Sequence, residues 1–231
     1  MTDSAGDYYR PAWRRHTSGE RRWLATAASI AIAAITWASQ DMNLGPRWLL
    51  PTAEMVLLLT VVLAMPGRTA AGAWGRPGYL LRLLELSLLA VCAVVIAFSI
   101  ARVLHQMWIA PAKADGRHLL LSGAAIWVTN VLFFALTYWQ TDRGGPGARA
   151  RGLEQYPDIL FQQMSAPELC PSDWEPSFGD YLYLSFTNAA GFGPGDTVPL
   201  TRFAKYIMLS QAASSLIIVV LVVSRAVNIL T

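Results

Sequence analysis

Between Asp180 and Pro199 the chain reads Asp-Tyr-Leu-Tyr-Leu-Ser-Phe-Thr-Asn-Ala-Ala-Gly-Phe-Gly-Pro-Gly-Asp-Thr-Val-Pro, and the chemistry this stretch can do belongs mostly to its backbone. Gly191, Gly193 and Gly195 alternate with Phe192 and Pro194. Glycine accepts either sign of φ, so an alternating run can turn successive carbonyl oxygens toward one axis. Pro194 lacks an N–H, but a carbonyl-lined path uses only oxygens. Such a path can replace the hydration shell of a cation, and Asp196 at its end can concentrate cations there. The segment Tyr181 to Ala190 just before it is apolar, aromatic and helix-compatible but too short to cross a membrane. Ser177 or Asp180 can cap its start, where an acid also suits the helix dipole. A flexible loop between an interfacial helix and a spanning helix would use the same glycines and prolines. A nucleotide fingerprint is excluded, because no strand precedes the glycines and no phosphate-binding lysine follows.

Other titratable side chains read as structural. Glu54, Arg82, Glu85, Arg102 and Arg225 fall inside apolar segments, where an ionisable group is a functional candidate by default. Glu54 and Glu85 lie near helix starts, where the dipole favours an acid, and Arg82 is one turn from Glu85 and can pair with it. Arg102 and Arg225 lie near segment ends and can snorkel. His16, His105 and His118 are isolated and show no metal-ligand spacing. There is no His-Glu-x-x-His, no Gly-x-Ser-x-Gly and no carboxylate cluster with histidine, so an enzyme is not expected. With Cys92 in an apolar run and Cys170 in a polar one, no disulfide framework is available.

The elements that must position the glycine run are membrane helices. The apolar fraction is 54%, the charged fraction 14% and the mean hydropathy +0.37, against about 25% charged residues in ordinary soluble domains. Five apolar segments are expected to be helices: Trp23 to Ala38, which is short, then Trp48 to Met65, Leu80 to Ile100, Leu119 to Trp139, and Phe203 to Ile229. Several ends carry tryptophan or tyrosine, as at Trp23, Trp48, Trp108, Tyr138 and Trp139, which favour the headgroup zone. The sequence therefore divides into an arginine-rich tail (1–22), a three-helix membrane region (23–110) and a terminal module (117–231). The fold class expected is all-α, with about five transmembrane helices and one re-entrant short helix.

The terminal module resembles the pore of tetrameric potassium channels. Those pores read as an aromatic-rich pore helix with Ser-Phe, then Thr-Val-Gly-Tyr-Gly-Asp, two residues and proline. Aligned without a gap, Ser185-Phe186 meets the Ser-Phe, Gly193 and Gly195 meet the filter glycines, and Asp196 and Pro199 meet the aspartate and proline. The resemblance implies an outer helix at 119–139, a turret at 141–179, a pore helix at 180–190, a filter-like loop at 191–196 and an inner helix at 203–229. It assigns ion binding to Gly191, Phe192, Gly193, Pro194, Gly195 and Asp196, and support of the pore helix to Asp180, Tyr183, Ser185 and Thr187. It further implies a homotetramer in the lipid bilayer passing a monovalent cation such as potassium or sodium, with no cofactor, no metal site and no nucleic-acid partner. Gly191, Phe192 and Pro194 stand where those channels carry threonine, valine and tyrosine, so potassium selectivity in particular is not implied. The alternatives are a transporter that uses the broken helix as a substrate site and a non-conducting relative of the channel fold.

Charge sets the expected orientation. Arg10, Arg14, Arg15, Arg21 and Arg22 precede the first segment, Arg68 and Arg76 follow the second, and Arg143, Arg149 and Arg151 follow the fourth. The positive-inside rule then predicts a multi-pass plasma-membrane protein whose retained N-terminal tail and residues 141–200 are cytoplasmic. A potassium channel has its filter loop on the outer side, so either one segment is miscounted or this module is inserted the other way up.

Overall fold

The computed structural model describes residues 11–17, 19–20, 23–38, 116–152, 156–193 and 195–230, with seven further positions between Leu83 and Ala101. The described chain is mostly helical: α1 (Trp23–Ala38), α2 (Gly116–Thr141), α3 (Pro146–Ala150), α4 (Gln162–Ser165), α5 (Phe178–Ala189) and α6 (Arg202–Leu230). Two strands, β1 (Ile159–Phe161) and β2 (Thr197–Pro199), pair antiparallel with Phe161 opposite Thr197. Two helical stretches, Leu120–Gly144 and Arg202–Val220, are long and apolar enough to cross a membrane. The expected segment Trp48 to Met65, with Glu54, lies outside the described residues. So do most of the third segment, Arg82 and Glu85, Cys92, Arg102 and His105, and Pro194. Leu83, Ser87, Ala90, Ala93, Val94, Ala97 and Ala101 are helical and exposed.

The chain divides into two compact units, Met1–Leu24 with Phe134–Ser215, and Ala25–Phe133 with Leu216–Thr231. In the second, α1 buries Ala25, Ala28, Ile32, Ala33 and Thr36, a stripe at helical spacing. Thr36 returns its hydroxyl to the Ile32 carbonyl, so even this polar side chain is satisfied within its own helix. At 16 residues α1 is about 24 Å long.

The first unit contains the glycine run and is built around α5. Its buried positions Phe178, Tyr181, Leu184, Ser185 and Ala189 recur at intervals of one turn and face inward. On α6 the buried residues Ala204, Met208, Gln211 and Ser215 do the same. Gln211 meets Ser185 and Ser215 meets Ala189, four residues further along both helices, so α5 runs parallel to the first half of α6. Asp142, just beyond α2, meets Tyr181, while Tyr138 meets Asn188. The end of α2 therefore runs antiparallel to α5.

Candidate functional site

The start of α5 is fixed by its own sequence. Ser177 and Asp180 form a capping box, with the Ser177 N–H donating to Asp180 Oδ2 at 2.7 Å. That satisfies donors a helix end otherwise leaves bare, and it gives Asp180 the capping role expected of it. The helix begins at Phe178, two residues before the expected Asp180, because the capping serine lies three residues ahead of its partner acid.

Around this first turn lies a polar layer. Buried Asp142 accepts from the Asp158 and Ile159 N–H groups through Oδ1, at 3.0 and 3.2 Å, and from the Tyr181 hydroxyl through Oδ2 at 2.6 Å. Arg149 donates from Nη1 to the Trp139 and Asp142 carbonyls, at 2.6 and 2.9 Å, which closes the end of the α2 segment. The N-terminal segment joins the same layer. Glu20 accepts from the Phe178 N–H and from Trp139 Nε1, Thr17 donates to Glu175 at 3.0 Å, and Trp13 is buried. Burial pushes the Glu20 carboxyl above the usual range, an effect opposed by its bonds from Phe178 and Trp139 and by the charge of Arg149. Folded Glu20 thus holds its proton more tightly than unfolded Glu20. Its contribution to stability is complete below the ordinary carboxylate pKa and is lost as pH rises through the raised folded value. Glu20→Gln should flatten that part of a stability–pH curve measured by chemical unfolding in mixed micelles, and an unchanged curve would refute the assignment.

The far end of α5 is held by a second network. Gln211 is fully buried and accepts from Tyr138 Oη at 2.6 Å and Asn188 Nδ2 at 2.9 Å. It donates to the Ser185 carbonyl and Oγ at 2.9 and 2.7 Å. Ser215 Oγ donates to the Ala189 carbonyl at 2.6 Å, satisfying one of the last acceptors of the helix. Ser185 therefore ties α5 to Gln211 of α6. Thr187 bonds back to the Tyr183 and Leu184 carbonyls, and Tyr183 is exposed, so neither touches these networks.

From Ala189 the chain turns back through the glycine run to β2, whose Thr197 is paired with Phe161; the Phe161 ring packs edge-on against Tyr181 in the first turn of α5. Thr197 thus lies back beside the first turn of α5. Gly191 and Gly193 take left-handed conformations, with φ of 76° and 67°. Gly195 does not; it enters the turn that leads to β2. Gly191, Phe192, Gly193 and Gly195 are exposed, Phe192 to 87%, and a methyl added to any of the three glycines meets no atom within 4 Å. Asp196 is partly buried and accepts from Thr197 Oγ1 at 3.3 Å.

No protein-family model, curated protein or solved structure matches this chain. Geometry alone therefore bears on what the site does. Among the described residues no group of histidine, cysteine and carboxylate side chains is arranged to hold a metal. Sequence reasoning missed the β1–β2 ribbon and the buried layer of Glu20, Asp142, Arg143 and Arg149. It read the arginines as loop charges setting topology, yet Arg143 and Arg149 are 2% and 6% exposed. The available signal was Asp142-Arg143 placed directly after the aromatic end of an apolar run.

Proposed function

We propose that residues 117–231 form a channel-like pore module, with α2 as outer helix, α5 as a re-entrant pore helix, Gly191 to Asp196 as the filter-like loop and α6 as inner helix. The observation that carries this reading is the path of α5 and its return. Ser215, which α5 reaches with its last residue, lies about 20 Å along α6 from Arg202 at 1.5 Å per residue, well inside a hydrocarbon core of about 30 Å. If α6 spans the bilayer, a short helix packed parallel to its first half would stop near mid-depth, and the glycine loop, which leads back to the β1–β2 ribbon beside Tyr181, would return to the layer where α5 starts. The helix directs its negative dipole end toward the loop, and left-handed Gly191 and Gly193 let the backbone redirect its carbonyls.

A filter needs an axis, and one copy supplies one wall. Tyr183 and Phe186 of α5, Phe192 of the loop, and Phe203 and Tyr206 of α6 are all exposed, which suits burial against lipid or neighbouring copies. We therefore read the protein as a homotetramer of five-span subunits in the plasma membrane, passing monovalent cations with less potassium-over-sodium discrimination than a potassium filter. Purified protein in liposomes should carry potassium and sodium flux and run as a tetramer by light scattering in detergent. A monomer without flux for any cation would leave the transporter or a non-conducting relative as the better reading.

Orientation follows from the polar layer. Thr17 and Glu20 bond Glu175, Trp139 and Phe178, which supports placing the tail and the turret on one side of the bilayer, and the arginine distribution favours the cytoplasmic side. The pore module would then be inserted opposite to a potassium channel. With Cys92 replaced by serine, partly exposed Cys170 and a cysteine introduced at His16 should both resist an impermeant thiol reagent in intact cells and react after permeabilisation. Labelling of either site in intact cells would refute the orientation, and labelling of only one would also break the shared layer.

A further inference from the structure

The layer at the foot of α2 contains a cation that neither the hydrogen-bond network nor the filter uses. Arg143 is 2% exposed, yet its Nε and Nη2 have no hydrogen-bond partner. Neighbouring acids are already engaged. Both oxygens of Asp142 accept bonds from Asp158, Ile159 and Tyr181, Asp158 Oδ2 accepts the backbone N–H of Arg143, and Glu175 accepts Thr17. The guanidinium lies 5.4 Å from the centre of the Trp13 ring, and the indole Nε1 of Trp13, itself 5% exposed, is likewise without a partner. A second guanidinium, that of exposed Arg14, lies 4.5 Å from the same ring centre. Arg143 is also the one described non-glycine residue in the left-handed region, at φ 53°, directly before left-handed Gly144 and Gly145. Holding arginine there costs energy that an ordinary turn would avoid.

Leaving buried guanidinium and indole N–H donors without an acceptor is costly. Two residues here present three N–H donor atoms without a hydrogen-bond acceptor, beside the guanidinium of Arg14. The chemistry that satisfies such a set is an oxyanion. The site lies at the end of Leu120–Gly144, a stretch long and apolar enough to cross a membrane, and the end of such a span is where lipid phosphates would be met. We propose that Arg143 and Trp13, with Arg14 on the solvent side of the indole, form a binding site for a phosphate group, supplied either by an anionic lipid headgroup or by free inorganic phosphate. The site is independent of whether the module conducts ions.

Thermal unfolding of the full chain in maltoside micelles, followed by tryptophan fluorescence, tests this. Inorganic phosphate at constant ionic strength and, separately, short-chain phosphatidylglycerol against phosphatidylcholine are the two arms. A Tm increase of several degrees with phosphate alone identifies a free anion, one with phosphatidylglycerol alone identifies a headgroup, and either supports the site. Arg143→Met should abolish the increase, because it removes two of the three donor atoms that would hold the anion. Trp13→Phe keeps the ring but loses the donor and should weaken the apparent affinity about tenfold, which keeps the test decisive if Arg143→Met fails to fold. No Tm change in the native protein with either additive, or a change undiminished in both variants, would overturn the proposal.

Discussion

Gly193→Ala should reduce cation flux in reconstituted liposomes by more than about tenfold while leaving the protein assembled. At φ 67° an alanine costs roughly 1–2 kcal/mol, and the open space around its methyl means the cost is purely conformational. The chain escapes it by rotating the adjoining peptides, which turns carbonyl oxygens away from the direction the loop now gives them. Because nothing packs against residue 193, folding is barely affected, and the damage falls on ion coordination. If four copies share an axis, each carries the same defect, so the loss compounds. Gly191→Ala, at φ 76°, should behave alike. Gly195→Ala should cost less, since that residue is not left-handed. Gly147 lies inside α3, where alanine is favourable, so Gly147→Ala should leave flux at the native level. Flux unchanged by both Gly191→Ala and Gly193→Ala at equal incorporation would remove the filter assignment, whatever the oligomeric state.

How far the sequence foretold this site depends on how each part is encoded. The two long helices among the described residues were legible because apolar length is a local property: apolar segments expected at 119–139 and 203–229 are helical over Gly116–Thr141 and Arg202–Leu230, each within three residues. The capping box was legible for the same reason, since Ser177 and Asp180 sit at the one spacing that lets both ends bond. The ribbon was not, because a three-residue strand is too short for an alternating pattern to emerge, and its partner lies beyond α5. Nor was the polar layer. Glu20, Asp142, Asp158 and Tyr181 are scattered along the chain, and what makes them a network is the return of α5 to the end of α2, which no local spacing records. The left-handed conformations were half legible: glycine permits either sign of φ but does not choose it, so Gly195 could not be told from Gly193.

Asp142→Ala should destabilise the first unit by about 3–5 kcal/mol, the largest stability effect expected of any single polar substitution here. Its carboxylate is fully buried and receives three hydrogen bonds, from two backbone N–H groups and the Tyr181 hydroxyl. Alanine strips the acceptor from all three donors at once, at a position that is fully buried. It also removes the carboxylate that favours the buried guanidinium groups of Arg149 and Arg143. The effect reaches α5, because Tyr181 is the side chain through which the first turn of that helix is tied to the end of α2. Asp142→Asn separates the two contributions. Its carbonyl oxygen can keep both backbone donors while its amide donates to the Tyr181 oxygen, so hydrogen bonding survives and only the charge is lost; about 1–2 kcal/mol is expected. Tyr181→Phe should cost a similar amount, and in a double-mutant cycle with Asp142→Ala the two should be strongly non-additive, since each removes the same bond. Chemical unfolding in mixed micelles provides the free energies, and hydrogen exchange at the first-turn amides of α5 provides the local readout. Additive effects, or unchanged protection of the Phe178 to Tyr181 amides in Asp142→Ala, would show that α5 is positioned by the Gln211 network alone.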